Sequence, residues 1–298
     1  MKSAIKFIFI AIGFVGILTG FVIAAENEYP SGIEGIKAAS VPPPGFYYKM
    51  YNVLYNADTM TDQNGNESNI DFDLTLFVNA HRFLWVSKSK ILGGNYAADV
   101  IVPALNVDLQ IGAAGVDDSK FGIGDICIEP FVLAWHGSRY DAASALAVYA
   151  PTGEYDKTEP ASIGKDMWTF MATLGGTYYF DQAKTWSASI LGRYEIHGEK
   201  NDLDWDPGDD FHFEWGIGKT IGKIWDVGLT GYCQWQVTDD TGQDKQRMDK
   251  DQVYAIGPEM SVFIPPFKLF VSLRSQWEFE AKERSEGNFT TLTFTKIF

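Results

Sequence analysis

Three aspartates recur at every second position in one polar stretch, and this spacing is that of the first ligands of a calcium-binding loop. They are Asp202, Asp204 and Asp206 in "NDLDWDPGD". Pro207 stands near the place where an EF-hand loop needs glycine, and no glutamate closes the loop. We therefore predict no EF-hand and assign no metal ligands. Two interpretations of residues 201–210 stay open: a solvated acidic loop, or a loose divalent-cation site that bridges lipid phosphates.

The histidines and cysteines indicate neither a metal site nor a catalytic centre. The four histidines are scattered singly, without metal-ligand spacing. His197 and His212 fall near the outer ends of predicted strands, where a barrel-embedded lipase would need a histidine, but no serine has a nucleophile motif. We expect no enzyme activity, no catalytic residues and no cofactor. Cys127 and Cys233 fall on opposite faces of distant strands, which predicts two free thiols.

The elements that would hold these residues alternate between apolar and polar positions. The clearest cases are "FKLFVSLRSQWEFE" (residues 267–280) and "TWSASILGRYEIH" (residues 185–197). A soluble β-sandwich would also alternate, but its strands are usually about five or six residues long. These runs are longer, and their apolar faces begin and end with aromatic residues, as in transmembrane strands. The pattern predicts an all-β fold, a transmembrane antiparallel up-and-down β-barrel of about twelve strands.

The connections between these strands alternate between short and long. The short ones, at residues 86–89, 136–139, 181–183, 221–223 and 264–267, suit periplasmic turns. The long polar ones, at residues 57–68, 112–120, 152–165, 198–208, 239–250 and 282–287, suit extracellular loops. An even strand number places both ends of the barrel on the periplasmic side.

The chain divides into three parts. Lys2, Lys6 and the apolar residues 7–25 predict a cleaved signal peptide over residues 1–25, the alternative being a retained membrane helix. Residues 45–298 form the predicted barrel. Residues 26–44 lie between them, either as a periplasmic leader or as a plug folded into the lumen. The plug candidates are Tyr29, Ile33 and Ile36, which are more apolar than a leader requires.

The last strand ends on an aromatic residue, Phe298, with Phe294 and Leu292 on the same face. This pattern resembles the terminal signal that outer-membrane proteins present to the barrel-assembly machinery, which is therefore an expected partner. Lys296 is a mild departure from that pattern.

Strand parity assigns a polar set to the interior of the barrel. Its candidate lumen-lining residues are Asp99, Asp125, Glu129, Arg193, Glu195, His212, Glu214, Asp226, Tyr232, Glu259, Arg274 and Glu278. Acidic residues outnumber basic ones, so a water-filled lumen would favour cations or neutral solutes over anions. Alternatively, these charges pair with one another and fill a narrow barrel. The formal net charge of −15 argues against a nucleic-acid partner.

Three stretches resemble the outer-membrane proteins grouped under meta-pathway phenol degradation. They are "YPSGIEGIKAASVPPPGFY" (residues 29–47), "FGIGDICIEPFVLAW" (residues 121–135) and "LAVYAPTGEYD" (residues 146–156). The resemblance implies a monomeric β-barrel in the outer membrane of a Gram-negative bacterium. It also implies passive uptake of small, often hydrophobic or aromatic molecules, although it supplies no binding motif.

The sequence thus predicts an outer-membrane channel for small hydrophobic or aromatic solutes, with lipopolysaccharide and other outer-membrane lipids as surroundings. Two alternatives belong to other classes. The outer loops could bind partners or envelope lipids around a lumen that does not conduct, or the barrel could carry a lipid-modifying enzyme.

Overall fold

The computed structural model describes residues 26–247 and 249–298, and the predicted signal peptide lies outside these residues. Thirteen β-strands make up almost all of the regular structure in this part of the chain. They are β1 (Gly45–Met60), β2 (Phe72–Ile91), β3 (Gly94–Ile111), β4 (Val116–Ile123), β5 (Ile126–His136), β6 (Tyr140–Ala150), β7 (Thr169–Tyr179), β8 (Trp186–His197), β9 (Asp210–Ile221), β10 (Trp225–Gln236), β11 (Gln252–Ile264), β12 (Leu269–Lys282) and β13 (Ser285–Ile297). No helix in the described ranges is long and apolar enough to cross a membrane.

The strands form one closed antiparallel sheet. Sequential strands pair with each other, and β13 pairs with β1, where Tyr51 lies opposite Thr293. Strands β4 and β5 both pair with β3: β5 along its first half and β4 along its second half. They act as one strand interrupted at Gly124 and Asp125, so the wall has twelve positions. The predicted twelve-stranded up-and-down barrel is confirmed.

The distribution of side chains is opposite to that of a soluble barrel. Leu174 is 71% exposed and Ile190 is 52% exposed on the outer surface, whereas Arg193 and Arg274 are 3% and 2% exposed inside. Because apolar side chains cover the outside and ionised ones the inside, the wall matches a hydrocarbon surrounding. Closure of the sheet also satisfies the backbone hydrogen bonds that an open edge would leave unpaired in lipid.

Two of the predicted long outer connections are tight turns instead. Residues 112–114 form a single 3₁₀ turn that leads through Gly115, at φ +66°, into β4. Only Glu283 and Arg284 separate β12 from β13. In both regions β-pairing continues beyond the apolar band into the outer aqueous space. The polar residues that were predicted as loops lie on these strand extensions. The β2–β3 turn is short as predicted, but it lies at Leu92 and Gly93, because residues 86–89, where the sequence analysis placed it, belong to β2.

Candidate functional site

Residues 26–44 cross the lumen from its outer end to its periplasmic end. At the outer end, the Glu26 carboxylate accepts a hydrogen bond from Lys200, in the loop after β8, at 3.0 Å. At the periplasmic end, the Ser40 hydroxyl donates to Asp141, near the start of β6, at 2.9 Å. The chain then joins β1 at Gly45. This segment is therefore the main occupant of the barrel interior.

Carboxylates on the barrel wall hold the segment by its backbone. Each accepts hydrogen bonds from main-chain N–H groups of the segment, which have no sheet or helix partners of their own. The contacts are Glu28 and Tyr29 to Glu195 (2.7 and 3.2 Å), Glu34 to Glu214 (2.7 Å) and Ile36 to Glu259 (2.9 Å). Three of the predicted lumen residues thus act as anchors for the segment.

Two glycines let the segment turn close to the wall. Gly32 and Gly35 adopt φ values of +80° and +83°, which residues with a β-carbon rarely adopt. A β-carbon on Gly35 would lie 2.3 Å from both Arg274 and Glu259, and one on Gly32 would lie 2.4 Å from the Tyr232 ring. Both positions therefore require glycine for conformation and for space.

The wall also provides space at glycine positions. A β-carbon on Gly216 of β9 would lie 2.5 Å from Ile36 Cα, and one on Gly218 would lie 2.4 Å from Ile36 Cγ2. Ile36, a predicted plug residue, is 2% exposed in this recess. The other two, Tyr29 and Ile33, belong to the buried apolar cluster of the lumen.

Glu34 lies at the centre of the polar network, although the sequence analysis did not select it. Its carboxylate accepts hydrogen bonds from the Tyr29 and Tyr51 hydroxyls at 2.7 and 2.8 Å. It also pairs with Lys49, and with Arg82 at 2.8 Å. A buried carboxylate with this many donors is held as the anion. Among the described residues Lys49 has no other ion pair, so loss of Glu34 would leave that cation unpaired.

Arg82 connects the segment to the acidic face of β3 and β5. Besides Glu34, its guanidinium contacts Asp99 at 2.7 Å and also Glu129. Both carboxylates were predicted as lumen residues, and both are buried. Here the interior charges pair with one another, as the lattice alternative of the sequence analysis describes.

Arg193 contacts the aromatic side chain of Tyr29 in the segment. Its guanidinium carbon lies 3.9 Å from the centre of the Tyr29 ring and its Nη1 lies 2.6 Å from Glu214. His212 contacts Glu195 at 2.9 Å, the same carboxylate that accepts the Glu28 and Tyr29 amides. The cation–π contact and the ion pair fix the outer part of the segment against β8 and β9.

A second buried histidine completes a hydrogen-bonded chain near the outer end of the wall. His197 Nδ1 lies 2.9 Å from the Thr169 hydroxyl and its Nε2 lies 3.0 Å from Asp210. The residue types are those of a hydroxyl–imidazole–carboxylate triad. Thr169, however, is 0% exposed, so no substrate reaches its hydroxyl in this arrangement. This series of hydrogen bonds links β7, β8 and β9 on the inner side of the wall.

The remaining predicted residues have diverse partners. Asp226 is half-buried and pairs with Lys37 of the segment at 2.8 Å. Tyr232 donates to Glu278 at 2.7 Å, and Arg274 pairs with Glu259 at 3.1 Å and donates to the Ile33 carbonyl at 2.6 Å.

Asp125, at the break between β4 and β5, holds an outer loop rather than the plug. It accepts the backbone N–H groups of Gly153 and Lys165 at 2.8 and 2.7 Å.

Two glutamates at the outer end of the segment have opposite electrostatic environments. Burial raises the pKa of Glu26, but the attraction of Lys200, Lys165 and Arg247 outweighs it and lowers that pKa to about 2. Burial, reinforced by Asp125, raises the pKa of Glu28 well above its usual range. The Oε1 atom of Glu28 is buried without a hydrogen-bond partner.

The acidic loop 201–210 binds to neighbouring loops. Asp206 forms a backbone bridge with Thr241, and the Asp204 amide donates to Asp244 at 3.0 Å. No cluster of three or more metal-binding side chains occurs within residues 26–247 and 249–298. Cys127 and Cys233 are both free thiols, as predicted.

Sequence reasoning missed Glu34, Lys49 and Arg82. The signal for Arg82 was present, because a lone arginine in the apolar run "NAHRFLWV" must avoid lipid. Glu34 carries no such signal, since residues 26–44 have no periodic pattern.

Comparison with known families gives a match over residues 57–294 to the family described as putative MetA-pathway of phenol degradation. The chain belongs to this family. Comparison with curated protein sequences gives no match.

Solved structures of outer-membrane proteins share the fold. The COG4313 outer membrane channel from Pseudomonas putida F1 superposes with a TM-score of 0.76 at 14% identity, over 87% of this chain and 97% of that chain. The translocator domain of the autotransporter NalP from Neisseria meningitidis gives a TM-score of 0.50 at 9% identity, over 86% and 90% of the chains. Together with the apolar outer band, this fold places the phenol-degradation family member in the bacterial outer membrane.

Proposed function

We propose that this protein is an outer-membrane channel for passive uptake of small hydrophobic or aromatic molecules, gated by residues 26–44. Solutes would move down their concentration gradient, and the segment would leave its present position to let them pass. The observation that carries this proposal is the way in which a covalently attached segment fills the lumen. Its backbone amides bind wall carboxylates rather than a continuous sheet, so the contacts exchange for water or solute without opening the barrel wall.

Release of the segment would free contact groups on the wall. These groups suit phenol-type solutes. Glu214 and Glu259 would lose their main-chain donors and could accept a phenolic hydroxyl. The rings of Tyr51, Tyr55 and Tyr232, buried beside the segment, would offer stacking surfaces. Because carboxylates dominate, the opened lumen would disfavour anions such as benzoate. The family description, which refers to phenol degradation, supports this solute class.

We propose a structural role, not a catalytic one, for His197 and His212. Both rings are buried and committed to carboxylates of the neighbouring strand. A lipid-hydrolysis assay with both histidines replaced by glutamine tests this role. Hydrolysis by the parent chain that the double variant lacks would contradict it.

The proposed partners beyond the solute are the barrel-assembly machinery and lipopolysaccharide, with the barrel acting as a monomer. The terminal Phe298 ring is 65% exposed and lies 5.6 Å from Phe46, where a recognition partner can reach it. The acidic outer loops would meet lipopolysaccharide phosphates through divalent cations. Chemical crosslinking in intact membranes tests all three assignments.

The test of solute class is uptake into liposomes that contain the purified mature chain. A matched panel of phenol, benzoate, cyclohexanol and glucose separates aromatic character, charge and polarity. We expect phenol to enter faster than glucose and benzoate. Equal rates for all four, or no uptake above protein-free liposomes, would favour a barrel whose loops bind partners without conducting.

A further inference from the structure

The lipid-facing surface of β6 to β9 carries exposed aromatic side chains at its periplasmic end. Tyr140, Tyr178 and Trp186 are 52%, 48% and 45% exposed there, on three neighbouring strands. Aromatic side chains at this depth mark the boundary between hydrocarbon and head groups. The head groups of the inner leaflet therefore lie beside these rings.

Two cations flank the hydrogen-bonded pair Phe180 and Trp186: Arg139 donates to the Phe180 carbonyl, and Lys219 lies opposite Trp186 on the next strand. The Arg139 guanidinium carbon lies 5.8 Å from the centre of the Tyr178 ring, on β7. Lys219 of β9 places Nζ 4.9 Å from the centre of the Trp186 ring, on β8. Since β7 and β8 are adjacent, a spacing of about 4.8 Å separates the strands over which the two cations lie.

Neither cation is neutralised by the protein. Arg139 donates to the carbonyls of Tyr179 and Phe180, and neither Arg139 nor Lys219 forms an ion pair with a carboxylate of residues 26–247 or 249–298. Asp181, the acidic residue of the β7–β8 turn, accepts hydrogen bonds from Thr185 and Trp186. Two exposed cations thus remain available to one anionic group.

An apolar groove begins beside the Tyr178 ring, which Arg139 contacts, and extends toward the middle of the membrane. It consists of two adjoining depressions of about 450 Å³ each, which share Ile190. Small outward residues form its floor: Ala142, Gly176 and Ala188 in the lower part, and Ala172 and Gly192 in the upper part. From residue 188 to residue 192 the strand extends by about 13 Å along its own axis. A strand tilt of about 40° reduces this to about 10 Å along the membrane normal, or about a third of a ~30 Å hydrocarbon core.

We infer that this surface is a binding site for an anionic glycerophospholipid of the inner leaflet. The phosphate would lie between Arg139 and Lys219, and one acyl chain would occupy the groove over Gly176 and Gly192. The charge complementarity selects an anionic head group. The position at the periplasmic end excludes lipopolysaccharide, which resides in the outer leaflet.

Native mass spectrometry of the full mature chain tests the site. The probes are phosphatidylglycerol and phosphatidylcholine with identical acyl chains, added in equal amounts to the protein in detergent. We expect phosphatidylglycerol to be retained at least ~10-fold more than phosphatidylcholine. Equal retention of the two lipids, or retention of neither, would overturn the inference.

Two kinds of variant locate the lipid. The double change Arg139→Gln and Lys219→Gln should reduce phosphatidylglycerol retention about tenfold, whereas Lys90→Gln and Lys223→Gln remove the same charge elsewhere on the rim and should not. Gly176→Leu with Gly192→Leu should fill the groove, because a β-carbon at either position has only ordinary contacts, at 3.5 and 3.6 Å. Val262→Phe on β11 is the control for added outward volume.

The outcomes separate cleanly. Loss of the lipid in both the charge variant and the groove-filling variant, but in neither control, supports the site. Equal loss in the test and control variants means that the lipid binds the barrel surface without a defined place, and this overturns the inference. Heat-dependent electrophoretic mobility shows whether each variant is a folded barrel. If a double variant does not fold, its two single changes are tested instead.

Discussion

The outer part of the proposed plug (residues 26–36) and its periplasmic part (residues 37–44) are held in different ways. The outer part binds buried charges: the side chains of Arg274 and Glu259 are 2% and 7% exposed. In the periplasmic part, Ser40 and Ala39 donate hydrogen bonds to the buried Asp141 and Ser189, but the ion pair is partly exposed. The side chains of that pair, Lys37 and Asp226, are 29% and 21% exposed. Pro43 and Pro44, next to the barrel, are exposed.

This difference indicates where the energy of closure lies. An ion pair near the surface contributes about 0–1 kcal/mol, whereas removing one partner of a buried pair costs about 3–5 kcal/mol. The outer part should therefore control whether the lumen is filled. The periplasmic part should act mainly as a tether, stiffened by Pro42, Pro43 and Pro44.

The largest expected effect comes from Gly35→Ala. The new β-carbon would meet both Arg274 and Glu259 at 2.3 Å, at a backbone angle that alanine disfavours. We expect the outer part to leave its site and single-channel conductance to rise by at least ~10-fold. Gly222→Ala is the matched control, since Gly222 also has a positive φ but no atom within 4 Å of its β-carbon. An unchanged conductance with Gly35→Ala would mean that this turn does not position the plug.

Glu34→Gln should have the next largest effect. The change preserves volume but leaves Lys49 and Arg82 without their shared carboxylate, which should cost about 3 kcal/mol of plug binding. The measurement is hydrogen–deuterium exchange of residues 26–44 in nanodiscs, where exchange of the Glu34 and Ile36 amides should accelerate about 100-fold. Exchange at the parent rate would show that Glu34 does not anchor the segment.

Glu28→Gln should act in the opposite direction. The raised pKa of Glu28 means that the bound plug favours its protonated form, so ionisation at neutral pH opposes binding. The glutamine variant should slow exchange of the Glu28 and Tyr29 amides at pH 7, on the order of tenfold. Faster exchange in the variant would contradict this assignment.

Ionisation of Glu26 has the opposite effect, because it strengthens plug binding. Its pKa is lowered to about 2 in the bound plug, against 4.5 when the plug is released, so its contribution is present above pH 4.5 and is lost as the pH falls toward 2. In the Glu28→Gln background, acidification should therefore only weaken plug binding. Glu26→Ala added to that background should reduce the pH dependence of the amide protection factors, which are exchange rates corrected for the intrinsic rate at each pH. Part of the dependence should remain, because burial raises the pKa of Glu34 but Lys49 and Arg82 outweigh it and lower that pKa as well.

Lys37→Gln tests the periplasmic part and should have the smallest effect. The pair with Asp226 is half-exposed, and its loss should change plug binding by less than ~1 kcal/mol. Hydrogen–deuterium exchange of the Ala39 amide measures this change locally, because that amide donates to Ser189 at 3.2 Å. An effect as large as that of Glu34→Gln would remove the distinction between the two parts.

The sequence predicted the wall well because most positions of β8, β9 and β12 alternate between apolar and polar residues. Lipid contact demands apolar side chains at every second position, and Arg193 and Arg274 then mark the inner face without ambiguity.

Strand β2 is different, because its inner face is apolar where it packs against the lumen cluster, and its outer face carries Asn79 and His81. Parity on this strand therefore assigned Phe77 and Phe83 to the lumen, whereas both are 41% exposed on the outside. For the same reason Arg82 was missed, although it connects three carboxylates.

The plug network could not be predicted for a different reason. Residues 26–44 are neither helical nor stranded, and their partners lie up to 241 positions away, as for Arg274 and the Ile33 carbonyl. A glycine at positive φ shows its role only once the neighbouring wall is known. The same holds for Gly216 and Gly218, which admit Ile36.

The most direct test of gated passage compares phenol uptake by the mature chain with uptake by a chain that lacks residues 26–40. Both are reconstituted at equal protein density, and heat-dependent mobility confirms that both are folded barrels. The account predicts uptake at least ~10-fold faster for the shortened chain, with phenol still ahead of benzoate. Equal rates for the two chains, in barrels shown to be folded, would contradict it.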